Sequence, residues 1–368
     1  MALNCCDNSL ISELVGGVEV ATSISEERIW TLSPLWCRRS SVFAHNLPIF
    51  ISSLDAGSKL VTLLRLRCIT IGNFDGVHVG HQALLERARV LAGSSGQVVA
   101  VTFDPHPAIL LKPELAPPAV QTLQERRECL LKCGADDVHV INTTKELLTM
   151  SAEQFMSWLR EQIAFECIVE GPDFHFGKDR AGDINTLRVI GLKNNFTVDH
   201  VAPVEVTLSD ASSAVASSSL LRWLLQPGRV NDVATVMDRA YQLSGVVQKG
   251  DQRGRTLGWP TANMATAGQL LPSDGVYAGI ATLPTGARKR AAISIGTKPT
   301  FGAHTRTVEA FLLDHKAPLD DYGWTLTLEF TRWLRGQTRF DGVQALQEQM
   351  NMDTQRTRQE IAQEVVLT

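Results

Sequence analysis

Gly72-Asn73-Phe74-Asp75-Gly76-Val77-His78-Val79-Gly80-His81 follows the short apolar run Cys68-Ile69-Thr70-Ile71 and leads into Gln82-Ala83-Leu84-Leu85-Glu86-Arg87-Ala88-Arg89. The order reads as strand, glycine-rich turn, helix. A helix N-terminus presents backbone N–H groups and the positive end of its dipole, so the turn is a natural phosphate site. Glycine lets the backbone come close to a ligand and adopt positive φ. Two imidazoles three residues apart share a helical face, from which both can donate to the same phosphate oxygens. That arrangement suits nucleotide chemistry better than hydride transfer. One competing reading is a metal pair, since residues at i and i+3 share a face and histidine is a frequent zinc ligand, but no third ligand is obvious beside it. The other is a structural turn with two exposed histidines.

Working outward, 368 residues are enough for two domains with sizeable cores. Lysine and arginine total 35 against 39 acidic residues, a net charge of -4, and no basic tract marks a nucleic-acid footprint. No apolar run reaches the roughly eighteen residues of a membrane span. Ile49-Phe50-Ile51 and Leu60-Val61-Thr62-Leu63-Leu64 are short and are followed by Arg65 and Arg67. The N-terminus lacks a basic segment ahead of an apolar one, so no signal peptide is expected. Cys5, Cys6, Cys37, Cys68, Cys129, Cys133 and Cys167 are odd in number and scattered. Such usage fits free thiols in a reducing cytoplasm. Cys129 and Cys133, at i and i+4, read better as a helical core face than as a metal pair.

Residues 1–66 are serine-rich, carry Trp30, Trp36 and Cys37 without periodicity, and receive no assignment. From residue 67 strands and helices alternate. Val98-Val99-Ala100-Val101-Thr102-Phe103 reads as a buried strand that ends at Asp104-Pro105-His106-Pro107. Gln121 to Cys133 reads as a helix capped by Gly134. Val138-His139-Val140-Ile141 and Cys167-Ile168-Val169-Glu170 read as strands, with a helix between them opened by the capping run Ser151-Ala152-Glu153-Gln154. This alternation predicts a doubly wound α/β parallel sheet, whose ligands bind beyond the carboxyl ends of the strands. The texture changes after Val230. Short strands at 244–247, 275–281, 290–295, 307–313 and 325–330 predict a β-barrel, closed by a helix over about 342–366. The boundary falls near residue 238.

Gly171-Pro172-Asp173-Phe174-His175-Phe176-Gly177-Lys178-Asp179 superficially resembles a P-loop. It has five residues between its glycines, and Asp179 stands where Ser or Thr is required, so that reading fails.

Taken with the turn at 72–81, several stretches resemble the prokaryotic bifunctional riboflavin kinase/FAD synthetase family. They are Thr102–Pro107, Gly171–Asp183, Ala216-Ser217-Ser218-Ser219-Leu220-Leu221-Arg222, and Gly250-Asp251-Gln252-Arg253-Gly254-Arg255-Thr256-Leu257-Gly258-Trp259-Pro260-Thr261-Ala262-Asn263. Pro272-Ser273-Asp274-Gly275-Val276-Tyr277-Ala278 and Ser294-Ile295-Gly296-Thr297-Lys298-Pro299-Thr300-Phe301-Gly302 add to it, and the resemblance covers about residues 68–360. It implies a Rossmann-like nucleotidyltransferase domain at 67–238 and a riboflavin kinase barrel with a terminal helix at 239–368. The kinase would phosphorylate riboflavin with ATP, and the transferase would adenylylate FMN to FAD with a second ATP, releasing pyrophosphate.

By the same resemblance His78 and His81 would hydrogen-bond the transferring phosphate. Gly72, Asn73, Phe74, Asp75, Gly76, Asp104, His106, Asp173 and Phe174 would line the nucleotide and flavin site. Ser217, Ser218 and Ser219 would hold outgoing phosphates at a helix N-terminus, and Arg222 would add fixed positive charge. Gly250, Gly254, Arg255, Gly258 and Pro260 would form the kinase loop. Thr261 and Asn263 would offer neutral oxygens to Mg²⁺ bound with ATP. Glu309 would serve as the base for the riboflavin hydroxyl, and Arg335 would contact flavin or nucleotide. The sequence departs from the family at Ala216, Ser219 and Leu220, at Trp259 (commonly Phe), and at Phe311 (often His). The changes at Ala216–Leu220 leave open a single active half, riboflavin kinase alone; two further readings are a flavin-binding regulator that kept the fold and a metal-dependent hydrolase using the histidine pair.

Overall fold

The computed structural model describes residues 66–250, 258–297, 306–315 and 321–362. The N-terminal segment 1–65, Gly254 and Arg255 of the second glycine-rich stretch, and residues 298–302 lie outside the described residues. The described chain belongs to one compact unit, Val61–Thr368.

Five strands form the first sheet: β1 (Arg67–Ile71), β2 (Gln97–Asp104), β3 (Asp137–Asn142), β4 (Cys167–Glu170) and β5 (Thr197–His200). The helices among them are α1 (Val79–Ala92), α2 (Pro107–Leu111), α3 (Leu123–Lys132), α4 (Lys145–Leu148), α5 (Ala152–Gln162) and α6 (Ile184–Asn194). All pairings are parallel, in the order β3-β2-β1-β4-β5. Ile69 therefore has Val99 on one side and Ile168 on the other. A sheet covered on both faces needs apolar residues pointing both ways, and β1 and β2 supply them. Cys68, Val98 and Ala100 pack with Leu85 of α1 and Leu130 of α3, while Ile69, Val99 and Val101 pack with Phe155 of α5 and Leu187 of α6. Capping boxes start α3 at Thr122 with Glu125 and α5 at Ser151 with Gln154, the second as the sequence predicts. Strand order reverses between β1 and β4, so the crevice beyond their carboxyl ends is the natural ligand site.

A small hairpin follows, β6 (Glu205–Thr207) with β7 (Ser213–Val215), and then α7 (Ser218–Leu225) and α8 (Val230–Met237). The second half is a closed antiparallel barrel of β8 (Tyr241–Gln248), β9 (Thr261–Thr266), β10 (Gly275–Thr282), β11 (Arg288–Thr297), β12 (Arg306–Leu312) and β13 (Thr325–Arg335), ordered β10-β11-β12-β9-β8-β13. α9 (Val343–Glu360) packs outside it. The barrel core is continuous with α7 and α8: Leu221, Leu224, Val233 and Val236 join Tyr241, Ile293, Ala310 and Phe330 in one cluster.

Several elements differ from the expectations. Thr261–Asn263, to which the sequence reading assigns no strand, begins strand β9, which pairs with both β8 and β12. Its threonines and asparagine carry little apolar signal because only Ala262 and Met264 are buried in the barrel. The closing helix ends at Glu360, because Ile361 turns extended and buries itself against Ala278 and Ile280. Strand β5, helix α6 and the β6–β7 hairpin were not foreseen. No helix among the described residues is long and apolar enough to cross a membrane.

Candidate active sites

The turn after β1 takes an unusual path. Phe74, Gly76 and Val77 all have positive φ, at 49°, 89° and 36°. Asp75 holds it: its buried carboxylate accepts from Val120 N at 3.0 Å and Gln121 N at 3.1 Å and pairs with Arg222 of α7. Ser218 Oγ donates to the Asp75 carbonyl at 2.7 Å. α7 lies so close that a Cβ on Gly76 would stand 2.3 Å from Leu221 Cδ1, so only glycine fits. Below the turn, Arg126 of α3 donates to the Asn73 carbonyl at 2.5 Å, and Thr102 Oγ1 does so at 3.2 Å.

His78 is the N-cap of α1, and His81 lies in its first turn. Their rings stack with centroids 3.6 Å apart, and Phe74 meets His81 edge-on at 5.0 Å. A Cβ on Gly80 would come within 3.0 Å of His78 Nδ1, which explains a glycine at that helix position. Burial, with the nearby Arg239 cation, lowers the His78 pKa to about 4. Burial also lowers His81 well below its ordinary value, aided by His78, Arg239 and Arg126. Both imidazoles are therefore neutral at neutral pH, with one nitrogen a donor and the other an acceptor. Nδ1 of each is buried without a partner, as is Asn73 Oδ1. Buried polar atoms are nearly always bonded, so this group of orphans at the strand-order reversal is what a phosphate-bearing ligand would satisfy. Among the described residues, no group of three His, Cys, Asp or Glu is placed to hold a metal ion.

The remaining candidates of the first half lie at or after the ends of β2 and β4, or at α7. His106 caps α2, accepting from Ala108 N at 3.1 Å through Nδ1, and burial lowers its pKa. Asp104 is exposed, with its carboxylate 3.9 Å from Arg126. Ser217 caps α7 by accepting from Leu220 N at 3.1 Å, while Ser219 is exposed. Arg222 donates to the Pro118 carbonyl at 2.9 Å as well as to Asp75, so its charge is already paired. After β4, Asp173 is exposed and Phe174 stacks on Phe176 at 5.3 Å.

Sequence reasoning missed three residues. Arg126 lies buried beneath the Asn73 carbonyl. Arg239 reaches the turn from the start of the barrel. Glu170 ends β4 with its carboxyl accepting from Ile71 N at 2.6 Å, and burial raises its pKa well above the carboxylate range. An acid closing the apolar run Cys167-Ile168-Val169 was the one signal available for it.

In the barrel, burial alternates along β12: Val308, Ala310 and Leu312 face the core, and Glu309 faces out. Asn263 of β9 stands directly opposite Glu309 in the ladder, as does Ser294 of β11. Thr261 Oγ1 donates to Glu309 Oε2 at 3.3 Å. Thus Thr261, Asn263 and Glu309, distant in sequence, share one outer face. Gly250, just after β8, lies directly against Asn263, where a Cβ would stand 2.2 Å from Nδ2. Gly258 takes a φ of +91°, and Pro260 leads into β9. These oxygen donors suit a hard cation shared with phosphate better than zinc. Arg335 is engaged elsewhere: its guanidinium grips Asp353 of α9 at 2.7–3.0 Å and lies over the Phe340 ring, so it fixes the closing helix to β13.

Comparison with known proteins agrees with this division. A family described as FAD synthetase matches residues 63–215, and one described as riboflavin kinase matches residues 237–361. The bifunctional riboflavin kinase/FMN adenylyltransferase of Listeria monocytogenes is 30% identical over 299 residues, covering 79% of this chain and 91% of its own. Its Escherichia coli K12 counterpart is 30% identical over 288 residues, covering 77% and 90%. That of Pseudomonas fluorescens is 33% identical over 287 residues, covering 77% and 89%. A solved structure described as a macrolide-efflux protein from Streptococcus pneumoniae superposes with a TM-score of 0.70 at 27% identity, covering 80% of this chain and 94% of that one.

Proposed function

The chain belongs to the bifunctional riboflavin kinase/FMN adenylyltransferase family, and from that premise we propose how its residues divide the two reactions. Residues 67–238 carry adenylyl transfer and residues 239–368 carry riboflavin phosphorylation. The observation that carries the division is that the stacked, unpartnered imidazoles of His78 and His81 belong to the parallel-sheet half, whereas Thr261, Asn263 and Glu309 share one face of the barrel.

In the barrel, the riboflavin 5′-hydroxyl attacks the γ-phosphorus of ATP. A new O–P bond forms, the bond to the β-phosphate oxygen breaks, and ADP leaves. Glu309 accepts the hydroxyl proton. Thr261 and Asn263 would hold Mg²⁺, which when bound neutralises phosphate charge. In the sheet half, a phosphate oxygen of FMN attacks the α-phosphorus of the second ATP, and the bond to the pyrophosphate oxygen breaks. No covalent enzyme intermediate is required, so positioning and charge neutralisation carry the step. Neutral His78 and His81 donate to the transferring phosphate, while the N-termini of α1 and α7 stabilise its charge. Asp104, His106, Asp173 and Phe174 border the same crevice. The reactions consume soluble nucleotides and flavins, and we place the enzyme in the cytoplasm.

Two substitutions assayed in parallel test the division. Glu309→Ala should stop FMN formation from riboflavin while sparing FAD formation from supplied FMN, and His78→Ala should do the reverse. If either variant keeps both activities, the role given to that residue is wrong. Chelation of divalent cations should stop both reactions, and added Mg²⁺ should restore them.

A further inference from the structure

Arg239 stands between α8 and β8, inside the stretch matched by the riboflavin kinase family and outside the FAD synthetase match. Its guanidinium nonetheless reaches back to the first glycine-rich turn. It donates to the Gly76 carbonyl at 2.7 Å and to the Val77 carbonyl at 2.9 Å. The same group donates to the Met237 carbonyl at 2.9 Å, anchoring itself to the end of α8. Gln82 of α1 completes the clamp, donating to the carbonyls of Val77 at 3.2 Å and Met237 at 2.9 Å.

The turn needs such a clamp. Phe74 and Val77 are non-glycine residues at positive φ, a conformation that persists only where the surroundings over-determine it. The carbonyls of Gly76 and Val77 converge on one side, and a planar guanidinium bonds both at once. An ammonium is a single point charge and cannot reproduce that fork. The next residue is His78, the N-cap of α1, so the angle at which both imidazoles meet a substrate follows from the path of Gly76 and Val77.

We infer that Arg239 is a positioning residue for adenylyl transfer, lent by the kinase half to hold the turn that presents His78 and His81. The inference rests on the reading of that turn as the adenylyl-transfer site. Its electrostatic consequence is separate from its geometric one. Around the imidazole pair the charged groups are Arg239 from the barrel entrance and Arg126 from α3, with each histidine facing the other. Loss of the Arg239 charge removes one of the influences that keep His78 neutral.

The experiment uses the full chain with Arg239→Gln, Arg239→Lys and His78→Ala. Three quantities are read: FAD formation from FMN, FMN formation from riboflavin, and the His78 pKa by NMR titration. Arg239→Gln should lower kcat for FAD formation by roughly 10–100-fold, the penalty for slight misplacement of a catalytic group, with a smaller change in KM for ATP. FMN formation should be unchanged. The His78 pKa should rise from about 4 toward its ordinary value in Arg239→Gln, and should stay low in Arg239→Lys. Arg239→Lys should still lose part of the FAD-forming rate, because charge without the fork does not restore the geometry. Parental FAD formation in Arg239→Gln overturns the inference, and so does an equal fall in both activities, which would signal a general loss of stability. If His78→Ala leaves FAD formation intact, the reading of the turn itself fails whatever Arg239 does. If His78→Ala abolishes it and Arg239→Gln does not, only the inference about Arg239 fails.

Discussion

Asp75 and Arg222 form a largely buried ion pair across 147 residues of sequence, joining the glycine-rich turn to the middle of α7. The pair brings together the glycine-rich turn and α7, both assigned to the proposed adenylyl-transfer site. Asp75 also accepts from the backbone of Val120 and Gln121, so its removal leaves two buried N–H groups without partners and the Arg222 guanidinium, still bonded to the Pro118 carbonyl, without its counter-ion. Breaking a buried pair from one side typically costs about 3–5 kcal/mol. Asp75→Ala should therefore lower the denaturant midpoint strongly and abolish FAD formation. Adding Arg222→Met removes the stranded charge, so the double variant should regain part of the stability but none of the activity. A double variant that makes FAD at the parental rate would show that the pair does not order the site.

What the sequence made legible follows local physics. The apolar run around Ile69 and the β-branched run at Val98–Val101 announced the parallel sheet, and Ser151 with Gln154 announced the start of α5. The turn at 72–81 announced a phosphate site because its glycines, histidines and helix start are contiguous. Non-local partnerships were hidden. Nothing near Asp75 in sequence points to Val120 or Arg222, and nothing near Arg239 points to Gly76. Thr261 and Asn263 carry no strand signal because the buried side of their strand holds only Ala262 and Met264. Their meeting with Glu309 is a product of barrel register, which a single sequence does not encode locally.

His78 makes stability sensitive to acid. Its pKa in the folded protein is about 4, against 6.5 for the unperturbed side chain, so the unfolded chain binds the proton more tightly. The stabilisation is fully present above about pH 6.5 and is lost as pH falls toward about 4, a window worth roughly 3 kcal/mol. Denaturant midpoints recorded across that window should fall in the parent and fall less in His78→Gln, which cannot take up the proton. Parallel curves for the two proteins would mean that His78 titrates normally.

Glu170 acts with the opposite sign. Burial raises its pKa well above the ordinary 4.5, so the folded state holds the proton more tightly than the unfolded chain. The associated stability is present below pH 4.5 and is lost as pH rises through the folded value. Glu170→Gln keeps an oxygen for Ile71 N, which the carboxyl now meets at 2.6 Å, and carries no charge at any pH. The variant should gain stability relative to the parent as the solution becomes more alkaline, in thermal melts followed by circular dichroism. An unchanged difference between the two across the range would indicate that Glu170 ionises freely in the fold.

Gly250 tests the kinase half without replacing any of its polar groups. The backbone there crosses the Asn263 amide so closely that a Cβ would stand 2.2 Å from Nδ2, 2.3 Å from Cγ and 2.5 Å from Oδ1. Asn263 lies opposite Glu309 in the β9–β12 ladder, so its displacement disturbs the proposed cation ligand and the neighbourhood of the base together. Gly250→Ala should lower kcat/KM for FMN formation by roughly 10–100-fold, in line with small misplacements of reacting groups. FAD formation from supplied FMN should persist, because the affected atoms belong to the barrel alone. Raising Mg²⁺ should recover part of the kinase rate if Asn263 is a ligand, since weakened binding is overcome by mass action. Full kinase activity in Gly250→Ala at low Mg²⁺ would remove Asn263 from the metal site and leave the glycine a purely structural crossing.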